Sequence, residues 1–193
     1  MTYFVKISHK MKQFEVSYGN DTKDFLKHAV SYISSLPSCN FSFSQRSEAE
    51  RVALAHLGLT NINQLRDRFE GQTYLNNFRL RLMSMLILEK LLDRNLIDWS
   101  EVESNREKDY LKVEVDGVEH RVIPFFYGSL PIMNIKNLQP VILCVIRPDF
   151  KSGALCGKLD QSDIQDSTLF IDTNQGTSGE FAKFIRFDKL KSL

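Results

Sequence analysis

The residues of this 193-residue chain best placed to do chemistry are carboxylates that a tight turn brings side by side. Tyr110 to Val115 and Val118 to Ile123 alternate apolar and polar residues on either side of Asp116-Gly117. Asp-Gly between two such runs predicts a two-residue hairpin. The turn fixes register, and register decides which side chains share a face. Val115 then faces Val118, Val113 faces His120 and Leu111 faces Val122 on an apolar face, while Lys112, Glu114, Glu119 and Arg121 occupy the other. Glu114 and Glu119 become direct cross-strand neighbours, which is unfavourable unless Lys112 and Arg121, or a cation, offset the repulsion. One reading is a solvated face with diagonal ion pairs. The other is a carboxylate pair, Glu114 and Glu119, that binds a divalent metal.

Glu89 is a second anomaly, because at helical spacing it falls within the stripe of Phe78, Leu82, Met85 and Leu92. A carboxylate there must be paired, protonated or at the end of the buried zone. It is read either as a structural Glu emerging at a helix end or as an acid delivered to a site at the sheet. His9, His28, His56 and His120 show no metal-ligand spacing with one another or with the cysteines. His120, on the apolar face of the hairpin, reads as a packed histidine. The chain has no phosphate-binding glycine loop, GxSxG elbow or HExxH helix.

These residues need elements to position them. Tyr3 to Ile7 and Gln13 to Tyr18 read as a hairpin. A helix over about 22 to 35 follows, ended by Pro37, and Ser47 with Glu50 has capping-box spacing before a helix closed by Gly58. A short helix from Thr60 through Phe69 is expected to stop near Gly71. From Thr73 to Arg94 the chain is apolar almost all round the helical circumference, which predicts a central helix buried on both faces. The period then changes from 3.6 to 2. After the Asp116-Gly117 hairpin, Val141 to Arg147 and Ala154 to Leu159 read as a second hairpin, Leu169 to Asp172 and Phe184 to Phe187 as further strands, and Thr173 to Glu180 as a mobile loop. The fold class expected is α+β, a helical N-terminal half whose long central helix packs on a mostly antiparallel sheet built from two C-terminal hairpins. One domain over 1–193 is expected, divisible into 1–71 and a helix-plus-sheet core over 72–193.

Composition narrows the function classes. Lys and Arg number 25 against 24 Asp and Glu, a net charge of +1, with 42% hydrophobic residues and few Gly and Pro. Those values exclude a polycation, a disordered polyampholyte and a collagen-like repeat. Cys39, Cys144 and Cys156 are an odd count, which predicts free thiols in a reducing compartment. No signal-like or membrane-spanning run is read, so the expectation is a cytoplasmic protein with no membrane partner.

Two resemblances can be placed on these residues. The order of a long apolar helix, a hairpin beginning near Asp109, the Val141 strand and another hairpin resembles the core of the restriction-endonuclease-like, or PD-(D/E)xK, fold. That resemblance implies a Mg²⁺-dependent nuclease, with Asp109 or Glu114 as the first acid and Glu119-His120-Arg121 where Glu-x-Lys belongs. Arg121 would replace the lysine that positions the attacking water. Over about residues 72 to 193, the runs QTYLNNFRLRLMSMLILEKLLDRNLID, DYLKVEVDGVEHRVIPF, PVILCVIRPDFKSGALCGKL and FIRFDKLKSL are similar to an uncharacterised cyanobacterial family of domains of unknown function. This second likeness implies a compact intracellular accessory domain and no activity.

The expected function is therefore a non-catalytic accessory or regulatory protein that acts by binding another protein and needs no cofactor. The alternative is the Mg²⁺-dependent nuclease, intact or degenerate, and nucleic acid is a partner only there. Neutral charge balance favours the first reading. For the second, Arg66, Arg68, Arg79 and Arg81 offer a candidate basic strip, and Glu89, Asp109, Glu114, Glu119 and Arg121 the candidate catalytic residues.

Overall fold

The structure, a computed structural model, describes residues 3–6, 30–65, 69–106, 111–134, 139–166, 168–172, 181–185, 187 and 190–193. It is a mixed α/β architecture. Strand β1 (Tyr3–Lys6) is followed by helical residues 30–35 (α1), β2 (Cys39–Asn40), α2 (Phe43–His56), a 3-10 turn (Ile62–Leu65), α3 (Phe69–Leu92) and α4 (Trp99–Ser104). Next come β3 (Lys112–Val115), β4 (Val118–Phe126), β5 (Ser129–Asn134), β6 (Val141–Ile146), β7 (Ser152–Leu159), α5 (Gln161–Asp166), β8 (Thr168–Asp172) and β9 (Phe181–Ile185).

The strands form two sheets, ordered β2-β7-β6-β4-β3 and β1-β5-β9-β8. The expected hairpins β3–β4 and β6–β7 both lie in the first, but β4 and β6 join them as a parallel pair, Val122 beside Ile142. At Tyr127-Gly128 the chain leaves β4 and enters β5 in the other sheet. Of the expected N-terminal hairpin only β1 is described. It pairs with β5, Phe4 beside Pro131, and the arm over 13–18 lies outside the described residues. So does the 173–180 loop.

The Asp116-Gly117 register is as expected, with Val113 opposite His120 and Glu114 opposite Glu119. Asp116 has φ 52° and Gly117 φ 75°, both positive as a type I′ turn requires. A Cβ at Gly117 would meet nothing within 4 Å, so the demand on this residue is conformational rather than steric. Gly117→Val should destabilise the protein by about 1 kcal/mol or more in urea titrations. An unchanged midpoint would contradict the turn.

Capping sets the helix bounds and differs from the expectation in one place. Ser42 accepts from the Gln45 amide at 3.1 Å while Gln45 Oε1 accepts from the Ser42 amide at 2.9 Å, so the capping box lies five residues before the Ser47/Glu50 pair. Ser47 falls inside α2. At the other end the Gly58 amide donates to Ala55 and the Leu59 amide to Leu54, closing a Schellman motif. Gly71 does not stop a helix. It sits in the first turn of α3, where few intrahelical bonds depend on it, and a boundary drawn at residue 71 would cut this helix.

α3 is the centre of the core, and Leu82 through Leu88 are all buried, including Ser84, whose hydroxyl donates to the Leu80 carbonyl at 2.8 Å. One side of the first sheet, Val113, Val115, Val122, Ile142, Cys144 and Ile146, packs in one cluster with α3 and α2. Approach is closest at Gly153, where a Cβ would lie 2.9 Å from Ile87 Cδ1 and 2.6 Å from the Val145 carbonyl. The opposite side carries Ile123, Phe125, Val145 and Cys156, covered by Tyr32 and Phe187. Burial pushes the thiols of Cys144 and Cys156 up, and all three cysteines are free. Among the described residues no helix is long and apolar enough to cross a membrane.

Candidate functional site

The carboxylates singled out by spacing are placed on opposite sides of the sheet. Val113 and Val115 turn toward α3, so Glu114 and Glu119 point away from it and stand exposed. Lys112 Nζ reaches Glu119 Oε1 at 2.9 Å, the diagonal ion pair that relieves the Glu–Glu contact. Arg121, opposite Lys112, is on the same face. Glu89 lies on the α3 side, and its Oε1 accepts from the amides of Leu96 at 2.7 Å and Ile97 at 2.8 Å. Its carboxylate therefore holds the chain reversal after α3. It also lines a polar groove of about 520 Å³ with Cys39, Ser42, Gln45 and Lys90. Asp109 lies outside the described residues. Among the described residues no three His, Cys, Asp or Glu side chains are grouped to hold a metal.

Only half of the expected basic strip lies among the described residues. Arg66 and Arg68 lie outside the described residues, and Arg79 and Arg81, two apart on one helix, point roughly 200° apart. Arg79 is partly buried, with its guanidinium 4.1 Å above the Phe150 ring and Nη1 3.4 Å from Glu50. Burial lowers its pKa. Arg81 is exposed.

His120 is 2% exposed, and its Nδ1 lies 2.9 Å from the Val118 carbonyl. At the same end of the sheet Lys191 Nζ bridges Asp160 at 2.8 Å and Asp163 at 2.7 Å. The bond from Lys191 lowers the Asp160 pKa. A depressed carboxyl contributes stability above its unfolded value, about 4, and loses that contribution as pH falls through the folded value. Lys191→Gln should therefore melt slightly below the parent near neutrality, and the gap should close in strong acid. A gap independent of pH would rule out the pairing.

What the helices do assemble is a groove of about 600 Å³ lined by Leu57, Leu59, Leu65 and Arg106 together with Phe69, Glu70, Gly71 and Tyr74 of α3. The Schellman turn places Leu57 and Leu59 on one side. Gln64 Oε1 accepts from the amides of Thr60 and Asn61, which fixes the 3-10 turn and the buried Leu65 at its end. Phe69, the first residue of α3, is 85% exposed.

The lining at Tyr74 is held by a chain of hydrogen bonds across three helices. His56 Nε2 lies 3.0 Å from the Glu103 carbonyl, which only accepts, so Nε2 carries the proton and Nδ1 accepts from the Tyr74 hydroxyl at 2.9 Å. Phe78 stacks on Tyr74 and meets the His56 ring edge-on at 5.1 Å. Arg51 clamps Glu103 through two bonds of 2.8 and 2.9 Å and also holds Glu48, tying α2 to α4. Arg106 sits 4.9 Å from the Tyr74 ring centroid and donates to the His56 carbonyl. Burial raises the Tyr74 pKa while Arg106 and Arg81 act to lower it.

Sequence reasoning did not find this groove. Its one local signal is Phe69, and spacing does not mark it as exposed, because it stands on the same helical side as Leu80 and Ile87, which α3 buries. Compared with family models, curated proteins and solved structures, the chain matches none.

Proposed function

We propose that this is a non-catalytic accessory protein that acts by binding another protein through its helical side. The observation that carries this reading is Phe69, 85% exposed at the mouth of a groove whose walls include three leucines. Singly exposed apolar residues are common on protein surfaces, but an exposed aromatic continuous with an apolar groove is the form of an interaction site. Two of the candidate acids support the same reading, since Glu89 is engaged by two backbone amides and Glu119 by Lys112.

The test is a photo-crosslinking phenylalanine analogue placed at position 69 in cells, with the same analogue at Lys112 on the exposed face of β3 as control. A discrete adduct with one protein from position 69 alone is expected. Equal crosslinking from both positions, or Mg²⁺- or Mn²⁺-dependent nicking of plasmid by the parent and not by Glu119→Gln, would overturn the reading.

A further inference from the structure

Resting on that binding reading, we infer that the groove takes a short apolar segment of a partner protein that carries an Asp or Glu, its carboxylate docking on Arg106. The groove is mixed in character. Leu59, Leu65 and Phe69 offer apolar surface, with Phe69 open to solvent, and burial of that surface is the source of affinity. Tyr74 and Arg106 add to the lining a ring with a cation over it.

Arg106 is oriented by its neighbours. Its guanidinium lies against the Tyr74 ring and one Nη reaches the His56 carbonyl at 3.4 Å, and among the described residues no carboxylate pairs with it. A guanidinium has five N–H donors in a fixed fork, and a carboxylate is the group that matches that fork. Arg81, two turns of helix beyond Tyr74, adds a second positive charge that acts on the Tyr74 hydroxyl. Glu70, one turn before Tyr74 on the same face of α3, also lines the groove.

The Tyr74 part of the lining is also preorganised. Tyr74 cannot swing without breaking its bond to His56, and His56 is pinned in turn by the Glu103 carbonyl. A wall fixed before binding loses little side-chain freedom on complex formation. The volume of about 600 Å³ falls within the ~300–1,000 Å³ of small-ligand sites, room for two or three side chains rather than a broad face. Single-stranded nucleic acid would call for a run of cations tracking phosphates and a series of stacking platforms. Among the described residues the lining holds three leucines and a single cation, and the chain carries a net charge of only +1.

The experiment pans a random heptapeptide phage library on the full chain, then titrates a fluorescein-labelled consensus peptide by anisotropy into the parent, Phe69→Ser and Arg106→Gln. Both side chains are exposed, and equal thermal midpoints confirm that the variants fold. Enriched peptides should combine an aromatic or branched residue with Asp or Glu. Phe69→Ser and Arg106→Gln should each weaken binding about tenfold or more. Replacing the acid of the peptide by its amide should weaken binding to the parent equally but leave Arg106→Gln unaffected. Peptides without an acid, binding indifferent to Arg106→Gln, or competition by an oligothymidine strand would each overturn the inference. If position 69 still yields a discrete protein adduct in cells, the binding reading survives that failure; if it does not, both fall.

Discussion

Leu82→Ala should lower the free energy of unfolding by about 2 to 5 kcal/mol, the range for truncating a leucine that its surroundings cannot close over. Leu82 is 1% exposed in a stretch of α3 where neighbours on every side of the helix are covered, Ile87 included. Urea titration is the measurement, with Leu91→Ala as the comparison, because Leu91 on the same helix is 47% exposed. That surface variant should stay within about 0.5 kcal/mol of the parent. Equal losses at the two positions would mean that α3 is not buried on both faces.

Phe125→Ala should cost about 3 to 5 kcal/mol, the range for removing a buried aromatic. This residue is fully buried on the side of the sheet away from α3, with its ring 6.0 Å from Phe187, which is itself 5.8 Å from Tyr32. The three rings come from α1, β4 and a residue near the C-terminus, so they fasten distant parts of the chain to one side of the sheet. Hydrogen exchange should show the amides of residues 30–35 losing protection more than those of α2. A loss below about 1 kcal/mol would show that this second layer contributes little.

The parts of the fold legible in the sequence were those that local chemistry decides. Asp116-Gly117 fixed one turn and with it a register, and the all-round apolar pattern of α3 marked a doubly covered helix. The parallel pairing of β4 with β6 was not legible, because nothing in Val122 or Ile142 names the other as a neighbour. Nor was β5, since the charge-free stretch from Val122 to Ile135 held prolines and gave no alternation to read. Ser42-x-x-Gln45 and Ser47-x-x-Glu50 fit the same capping pattern. The first is used because Phe41, just before it, is buried in the core and fixes where the chain enters α2. The candidate site failed to emerge for a similar reason. Its wall joins His56, Tyr74 and Glu103, three positions that only packing brings together. Glu89, by contrast, was visible as an anomaly, though the amides it satisfies depend on a chain reversal that no spacing announces.

The two buried cysteines give the protein a pair of clocks. Cys144 faces α3 and Cys156 faces the Tyr32 side, on neighbouring strands but in different layers. Thiols react as thiolates, and burial holds both of these in the protonated form. Each is therefore silent toward an alkylating reagent until the layer above it opens. The rate at which Cys144 is modified measures how often α3 lifts from the sheet, and the rate at Cys156 how often the opposite cover departs. Matching rates would mean that the molecule comes apart as one unit, and unequal rates would identify the layer that leaves first.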